Sequence, residues 1–451
     1  MTNQLTAIAQ PGYDLFVFGD SLSDTGNLFQ QTFGLIPPSP PYFNGRLSNG
    51  TLAVEKLAPQ LGINLSLETN FAIAGAQTGR TNANDNNLFQ LGGLLNQIDQ
   101  FKTEASTLGA DSEDLYLVWA GANDFLAPLS DPTAAVNTAV SNIVTAVTAL
   151  VELGAKNIVV AKTPNLGRVP LSLQAGQLEP LTVLSSAFND ALAANLTPLE
   201  QSNGTNIILT DLFPITETVS QDPAAFGFSN TTTPFLNGLT PADPAADPNQ
   251  FFFWDQVHPT TRAHDLFAEA FRRTILTGIK DNVIRLGTEA PDRLVGFSGN
   301  DSFSGRAGAD HLEGNIGNDQ LAGGSQADTL LGGNQNDQLT GGGGQDFLQG
   351  GLGRDLFIYQ NADHGRDTIA DFQIGKDKID LRRILDRPNY DETNRFAAYV
   401  RLVPAAGSTF VRVDGNGDAG GGFKTLAQLL NVNADDVSAA SFLLTRFQTP
   451  R

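Results

Sequence analysis

An apolar run stops abruptly at a serine near the start of the chain. In "FVFGDSLSDTGN", residues 16–27, large apolar side chains give way to Gly-Asp-Ser at Ser21. A short apolar run bounded by turn residues is typical of a buried strand, so this serine follows directly where a strand ends. It is either part of an ordinary strand exit or a nucleophile, and a nucleophilic serine requires a neighbouring base.

The histidines identify the candidate base, because the chain contains only four of them. His311 and His364 lie in or just after the glycine-rich repeats described below, and His264 lies in a predicted amphipathic helix. The remaining one, His258, follows Asp255 by three residues in "DQVHPT". An aspartate at this distance can turn back to the imidazole and stabilise its charged form, although D-x-x-H also occurs in ordinary loop hydrogen bonds.

Two further motifs offer hydrogen-bond donors. Gly75 in "NFAIAGAQTG" and Asn123 in "VWAGANDF" each follow a predicted strand. The carboxyl ends of parallel strands meet at one edge of a sheet, where ligands bind. A serine hydroxyl, a glycine N–H and an asparagine amide at that edge would suffice for acyl transfer through an oxyanion. Taken singly, Gly75 would also suit close strand–helix packing, and Asn123 a turn.

The elements that must position these residues are those of an α/β domain. Asp131 and Pro132 predict the start of a helix, as N-cap and first helical residue, and Gly154 predicts its end. Strands alternating with helices predict a largely parallel sheet covered on both faces. The predicted strands are "DLFVFGD", "NFAIAGA", "LYLVWAG", "NIVVAKT" and "NIILTDL".

From Gly287 the sequence repeats every nine residues. Each copy has a glycine five residues before an aspartate and a large apolar residue two residues after it. A nonapeptide repeat of this kind predicts a parallel β-helix that binds calcium. The eight aspartates are Asp292, Asp301, Asp310, Asp319, Asp328, Asp337, Asp346 and Asp355.

The spacing also predicts how the calcium ligands are arranged. If two repeats make one coil, Asp301 lies above Asp319 at an interstrand spacing of about 4.8 Å. Turn carbonyls then complete the all-oxygen site that calcium prefers, and binding is coupled to folding because the stacked carboxylates repel one another. Gln326, Gln335 and the Ala290–Pro291 pair interrupt the glycine pattern, so we expect weak or empty sites there. The predicted metal ligands are Asp301, Asp310, Asp319, Asp328, Asp337, Asp346 and Asp355.

Composition narrows the choice of partners. The chain of 451 residues carries a net charge of −21, which argues against nucleic acid as a partner. It has no cysteine, which excludes disulfides and thiolate chemistry. The first residues lack the pattern of a cleaved signal peptide. No apolar run approaches the roughly 18 residues of a spanning helix, so we expect no transmembrane segment.

The four motifs "FVFGDSLSDTGN", "NFAIAGAQTG", "WAGANDF" and "DQVHPT" occur in the order in which they occur in the GDSL, or SGNH, hydrolases. The resemblance implies a three-layer α/β/α, flavodoxin-like domain that acts on an ester or lipid without a catalytic cofactor. It implies Ser21 as nucleophile, His258 as base and Asp255 as the group that orients the base. The implied oxyanion hole consists of the Ser21 N–H, Gly75 and Asn123.

The repeat resembles the RTX (repeats-in-toxin) family of exported proteins, and "DTIADFQIGKDKIDL" resembles the cap that follows such β-rolls. This resemblance implies bound Ca²⁺ and an uncleaved signal for type I secretion machinery in the C-terminal region. That region contains equal numbers of acidic and basic residues, unlike the acidic segments before it. We therefore expect three domains: a hydrolase (1–280), a calcium-binding β-roll (281–358), and a cap with the secretion signal (359–451).

Together these observations predict a secreted, extracellular serine esterase or lipase. Two alternatives stay open. One is a phospholipase or acyltransferase that acts on membrane lipids with the same site. The other is a calcium-dependent surface protein whose hydrolase domain is inactive, which the intact Ser21, Asp255 and His258 disfavour.

Overall fold

The computed structural model describes residues 13–385, 390, 394–417 and 422–445. The chain divides into two compact units between Ile275 and Leu276. The first twelve and last six residues, to which the expectations about a leader and a terminal export signal partly refer, lie outside the described residues. The domain boundaries predicted after residues 280 and 358 stay predictions.

The first unit alternates helices and strands. Its strands are β1 (Leu15–Gly19), β2 (Leu115–Trp119), β3 (Asn157–Lys162), β4 (Asn206–Asp211), β5 (Leu236–Asn237) and β6 (Thr240–Pro241). Its helices are α1 (Asn27–Gln31), α2 (Ala53–Gln60), α3 (Leu94–Leu108), α4 (Pro132–Glu152), α5 (Pro170–Gln174), α6 (Leu178–Asn203), α7 (Phe213–Gln221) and α8 (Thr261–Gly278).

The central sheet of this unit is parallel and has the order β1-β2-β3-β4. Successive side chains of a strand point to opposite faces. Phe16 and Phe18 of β1 pack against Phe101 of α3 on one face. Trp119 of β2 packs against Phe271 of α8 on the other. Both faces are covered by helices, so the predicted three-layer α/β/α architecture is confirmed.

Helix α4 begins and ends as predicted. The Asp131 side chain accepts a hydrogen bond from the Ala134 N–H at 3.0 Å, and Gly154 has a φ of 98° just after the helix. Among the described residues, α4 is also the one helix long and apolar enough to span a membrane, a segment that the sequence analysis did not expect. Its residues Ile143 and Val147 are fully buried in the core, as in the central helix of a globular unit.

The run "NFAIAGA" does not form the predicted strand. It lies beside β1, where the Phe71 N–H donates to the Val17 carbonyl at 2.7 Å, but it forms only an isolated bridge. The Ile73 N–H also donates to the Gly19 carbonyl of β1 at 3.1 Å, whereas the N–H groups of Ala72 and Ala74, which alternate with these, donate to Asn70 Oδ1 and Asp24 Oδ2.

The second unit consists mainly of short strands. They are β7 (Ile284–Leu286), β8 (Arg293–Val295), β9 (Ser302–Ala307), β10 (His311–Ile316), β11 (Gln320–Ser325), β12 (Thr329–Asn334), β13 (Gln338–Gly343), β14 (Phe347–Leu352), β15 (Leu356–Ile358), β16 (Asp367–Ile369), β17 (Lys378–Asp380), β18 (Val400–Ala405), β19 (Ser408–Asp414), β20 (Phe423–Leu430) and β21 (Phe442–Leu443). The helices α9 (Arg382–Leu385) and α10 (Arg395–Tyr399) follow β17.

In the repeat, each strand pairs in parallel with the strand two positions along the chain. Leu321 of β11 lies opposite Phe303 of β9 and Leu339 of β13. Two repeats therefore make one coil, as predicted. The large apolar residue of each repeat points inward, and Leu321 and Leu339 are almost fully buried. The resulting β-roll has a core one layer of side chains thick between its two sheets.

The roll continues beyond the last predicted repeat. Strand β16 pairs with β14, and β17 pairs with β15. Asp367 and Asp377 occupy the next aspartate positions, where they accept hydrogen bonds from the N–H groups of Asp346 and Asp355, both at 3.1 Å. The spacing lengthens here from 18 residues to 21 and 22, so a search for a nine-residue register does not find them.

Candidate functional site

A tight turn after β1 presents Ser21. A Cβ atom on Gly19 would lie 2.1 Å from the Trp119 carbonyl oxygen, so only glycine fits where β1 ends against β2. The Asp20 carbonyl accepts hydrogen bonds from the N–H groups of Ser23 and Asp24 at 3.1 and 3.0 Å. The strand therefore exits sharply and leaves Ser21 at the carboxyl edge of the sheet.

The structure joins Ser21, His258 and Asp255 in one chain of hydrogen bonds. His258 Nε2 lies 3.0 Å from Ser21 Oγ, and His258 Nδ1 lies 2.7 Å from Asp255 Oδ2. Asp255 Oδ1 also accepts hydrogen bonds from the N–H groups of Val257 and His258, at 2.9 and 2.8 Å. The turn that begins at Asp255 thus holds its carboxylate against the imidazole ring.

The pKa values of these groups are shifted by burial and by the charges of their neighbours. Burial alone would raise the pKa of Asp255, but His258 and the two backbone donors outweigh it and lower that pKa to about 2. Burial lowers the pKa of His258, yet Asp255 and Asp20 together hold it above its ordinary value. Burial raises the pKa of Asp20 to about 7, and its Oδ2 atom has no hydrogen-bond partner.

Tyr42 is a member of this hydrogen-bond chain that the sequence analysis did not single out. Its hydroxyl donates to Asp255 Oδ2 at 2.7 Å. Burial and the charge of Asp255 raise the pKa of Tyr42, so the hydroxyl stays protonated and remains a donor. The Tyr42 ring packs in an apolar cluster with Phe235 and Trp254. Tyr42 lies in "PPYFNGRLSNG". The signal that could have found it is its residue type, because a tyrosine in a buried cluster needs a partner for its hydroxyl.

Gly75 lies on a loop tied to the nucleophile turn. It has a φ of 83°, and a Cβ atom there would lie 2.3 Å from Asn84 Nδ2, so glycine is required on both grounds. Asp24 makes the tie, because its Oδ2 atom accepts hydrogen bonds from the N–H groups of Leu28 and Ala74 at 3.0 and 2.8 Å. Sequence reasoning missed this role of Asp24.

Asn123 follows β2 at the same edge of the sheet. Its Nδ2 atom donates to the Ala76 carbonyl at 3.1 Å. The neighbouring Asp124 accepts hydrogen bonds from the N–H and the hydroxyl of Thr78, at 2.9 and 2.7 Å. The loops of Gly75 and Asn123 are therefore joined, and Asn123 lines one cavity together with Ser21 and His258.

In the second unit, the predicted metal ligands form two ladders. In all of them but Asp301, the Oδ1 atom accepts a hydrogen bond from the N–H of the aspartate one coil earlier, for example Asp319 from Asp301 at 2.7 Å and Asp328 from Asp310 at 2.8 Å. Asp301 Oδ1 accepts from the Val283 N–H at 2.7 Å. The Oδ2 atoms of six aspartates are buried and have no hydrogen-bond partner. These six are Asp310, Asp319, Asp328, Asp337, Asp346 and Asp355.

The surroundings of these free oxygens fit a calcium ion. Beside Gly305, the position that a Cβ would occupy lies 2.2 Å from Asp310 Oδ2 and 2.6 Å from the Gly323 carbonyl oxygen, so a carboxylate and a carbonyl oxygen meet there. Burial raises the pKa of Asp319 to about 7 and that of Asp337 to about 8, so without a counter-charge their ionised forms are disfavoured. A hard divalent cation supplies that charge and prefers such oxygens.

Asp301 differs from the other predicted ligands, because its Oδ2 atom already accepts a hydrogen bond from the Phe297 N–H at 2.8 Å. Gln326 and Gln335 adopt positive φ angles of 81° and 78°, so the turns keep their shape despite the missing glycines.

No cluster of three or more His, Cys, Asp or Glu side chains that could hold a metal occurs among the described residues. A calcium site on these aspartates would need carbonyl oxygens as further ligands.

Two family models match the chain. The GDSL-like lipase/acylhydrolase model matches residues 15–271. The RTX calcium-binding nonapeptide repeat (4 copies) matches residues 286–321, 295–330 and 322–357. The first match covers more than half of the chain, so this protein belongs to the GDSL-like lipase/acylhydrolase family of ester hydrolases. It also carries RTX calcium-binding repeats, as predicted.

Curated relatives and solved structures match the hydrolase part. The phosphatidylcholine-sterol acyltransferase of Aeromonas hydrophila is 29% identical over 317 residues, which cover 58% of this chain and 90% of its own. The thermolabile hemolysin of Vibrio parahaemolyticus is 27% identical over 268 residues, 56% of this chain and 61% of its own. A solved structure of a lipolytic G-D-S-L family member from Veillonella parvula is 16% identical, with a TM-score of 0.33, and covers 57% of this chain and 94% of that one.

Proposed function

We propose that this protein is a secreted serine esterase or lipase that hydrolyses carboxylic esters through Ser21, His258 and Asp255. The observation that carries the proposal is the hydrogen-bond chain from Ser21 Oγ through His258, at 3.0 Å, to Asp255, at 2.7 Å. A serine hydroxyl in contact with an imidazole that a carboxylate orients is the arrangement that acyl transfer requires.

In the first half-reaction, His258 Nε2 takes the proton of Ser21 Oγ while Oγ bonds to the ester carbonyl carbon. The carbonyl electron pair moves to oxygen, and the N–H groups of Ser21 and Gly75 with Asn123 Nδ2 stabilise the oxyanion. The C–O bond then breaks, and His258 gives its proton to the departing alcohol. In the second half-reaction, water replaces Ser21 Oγ by the same steps, which release the acid and restore the serine.

The test compares two serine variants that differ by two positions. Ser21→Ala is expected to abolish hydrolysis of p-nitrophenyl butyrate without changing the melting temperature. Ser23→Ala is the matched control, because Ser23 is also buried but its hydroxyl has no hydrogen-bond partner. Full activity of Ser21→Ala would overturn the proposal. Absence of activity in the wild type would favour the inactive calcium-dependent surface protein.

A second candidate function is acyl transfer to an alcohol, which the similarity to the Aeromonas phosphatidylcholine-sterol acyltransferase favours. The same acyl-enzyme on Ser21 would then react with an alcohol instead of water. Adding a sterol or a short alcohol to the ester assay distinguishes the two. A transferase forms the new ester in preference to the free acid, whereas a hydrolase forms the acid.

We further propose that the β-roll binds Ca²⁺ through Asp310, Asp319, Asp328, Asp337, Asp346 and Asp355, with Asp301 contributing less. The division into hydrolase (1–280), β-roll (281–358) and cap with export signal (359–451) belongs to this proposal. Calcium would order the roll after export by type I secretion machinery, because the free carboxylates require the ion. Co-expression with and without a type I exporter, followed by assay of the medium, tests the export step.

A further inference from the structure

The cavity beside Ser21 has a shape that bears on the substrate. Its lining includes Ser21, Asn123 and His258, and also Phe252 and Phe267. Phe252 and Phe267 are 2% and 0% exposed, so the cavity reaches side chains of the core of the unit. An ester carbonyl at Ser21 therefore has next to it a pocket bounded by buried side chains.

The wall of this pocket is mainly apolar. Leu126, Leu166 and Val169 contribute aliphatic surface. The polar lining residues Asn165 and Thr216 are already hydrogen-bonded, since the Asn165 N–H donates to Thr216 Oγ1 at 3.1 Å, and Thr216 Oγ1 donates to the Phe213 carbonyl at 2.9 Å. A hydrocarbon chain gives up no hydrogen bonds when it enters such surroundings, whereas a polar alcohol would lose its hydrogen bonds to water.

The pocket is small. The cavity volume is about 50 Å³, and a water-sized group needs about 10–15 Å³. The pocket thus holds about three to five non-hydrogen atoms. Acetyl and butyryl chains stay within that number, whereas octanoyl and palmitoyl chains exceed it.

The wall beside α5 is also held in place. Asn165 Nδ2 donates to Glu217 Oε1 at 2.6 Å, and Arg168 forms two hydrogen bonds with the Glu217 carboxylate, both at 2.9 Å. The Leu166 N–H donates to Ser185 Oγ at 3.2 Å. Widening the pocket on this side would break these bonds, so its size limits the length of the chain.

We propose that this pocket receives the acyl group and that the natural substrates are esters of short-chain acids, from acetyl to about butyryl. The inference rests on the proposed function of Ser21 and adds a substrate class to it. It places the specificity in the acid part of the ester, while the alcohol lies outside the pocket.

The test is hydrolysis of p-nitrophenyl acetate, butyrate, hexanoate, octanoate and palmitate by the full chain with calcium. We expect kcat/KM to fall at least about tenfold between butyrate and octanoate, since one methylene that does not fit costs about tenfold or more. Val169→Ala removes two methyl groups from the wall and should raise the hexanoate-to-butyrate ratio several-fold. Leu126→Ala, at a half-buried position, repeats this test if Val169→Ala does not fold.

Leu171→Ala is the matched control, because Leu171 is 42% exposed and does not line the pocket. It should leave the chain-length profile unchanged. Ser21-dependent hydrolysis of octanoate or palmitate as fast as butyrate would overturn the short-chain inference but leave the proposed function standing. An unaltered profile in both widened variants would also overturn it. No Ser21-dependent hydrolysis of any ester would overturn the proposed function and this inference with it.

Discussion

The hydrogen bond from Tyr42 to Asp255 supports a prediction that separates positioning from packing. Tyr42→Phe removes one oxygen atom and keeps the ring in its cluster with Phe235 and Trp254. Asp255 Oδ2 then loses a donor at 2.7 Å but keeps His258 Nδ1. A hydrogen bond to a charged group is worth about 1.5–3 kcal/mol, so we expect kcat/KM to fall by about 10- to 100-fold.

The pH profile should change as well, and its direction follows from the charge. Tyr42 draws part of the negative charge of Asp255 away from His258. Without Tyr42, the carboxylate holds the imidazolium more strongly, so the pKa of His258 rises further above its ordinary value. Because the base must be neutral to accept the serine proton, the acidic limb of kcat/KM should move to higher pH.

The assay is hydrolysis of p-nitrophenyl butyrate between pH 5 and 9, with the melting temperature measured in parallel. Tyr116→Phe is the matched control, because the Tyr116 hydroxyl also donates at 2.7 Å, but to the Asp111 carbonyl away from the site. It should lower stability and leave the pH profile unchanged. The reasoning is refuted if Tyr42→Phe keeps both kcat/KM and its acidic limb, or if Tyr116→Phe reproduces its effect.

Three further predictions concern the donors, the charges and the metal. Asn123→Ala should lower kcat by about 10²- to 10³-fold with little change in KM. A rise in KM with kcat unchanged would contradict its oxyanion role. Asp20→Asn removes a charge that raises the pKa of His258, so the acidic limb should move to lower pH, and a profile identical to wild type would refute this. Asp337→Asn should abolish one calcium site. At a calcium concentration of 100 times the dissociation constant, that site contributes about 2.7 kcal/mol, so the melting temperature of the second unit should fall by about 5–10 °C. The exposed Asp436→Asn is the control, and an Asp337→Asn effect that persists in EDTA would show that calcium is not involved.

The elements that the sequence predicted correctly are those whose signals act on the backbone beside them. Helix α4 was predicted closely because Asp131, Pro132 and Gly154 each act on the backbone beside them. The run "NFAIAGA" was assigned wrongly: it makes only part of a strand's hydrogen bonds with β1, and two of its N–H groups donate to the side chains of Asn70, in the run itself, and Asp24, 50 residues away in the chain. Apolar character shows that a segment is buried, but it does not show which partner takes its hydrogen bonds.

The same distinction applies to the two sites. The nine-residue period predicted the stacking of Asp301 on Asp319, because a regular coil repeats one geometry. It did not find Asp367 and Asp377, since the chain inserts extra residues before each of them and restores the register through strand pairing. The nine-residue pattern also did not predict that the second carboxylate oxygen of Asp301 accepts a hydrogen bond from the Phe297 N–H.

By itself, the sequence determined which residue types this chain offers for chemistry. The types and order of its residues predict a serine, a histidine with its aspartate, and a periodic row of carboxylates. Such motifs and periods can be recognised in the sequence because they depend on neighbours along the chain. Only the tertiary structure decided that Tyr42 completes the hydrogen bonds of Asp255, 213 residues away. It also decided that Phe267 lines the pocket beside Ser21. Both depend on how separate segments pack, and packing fixes distances that no local pattern contains.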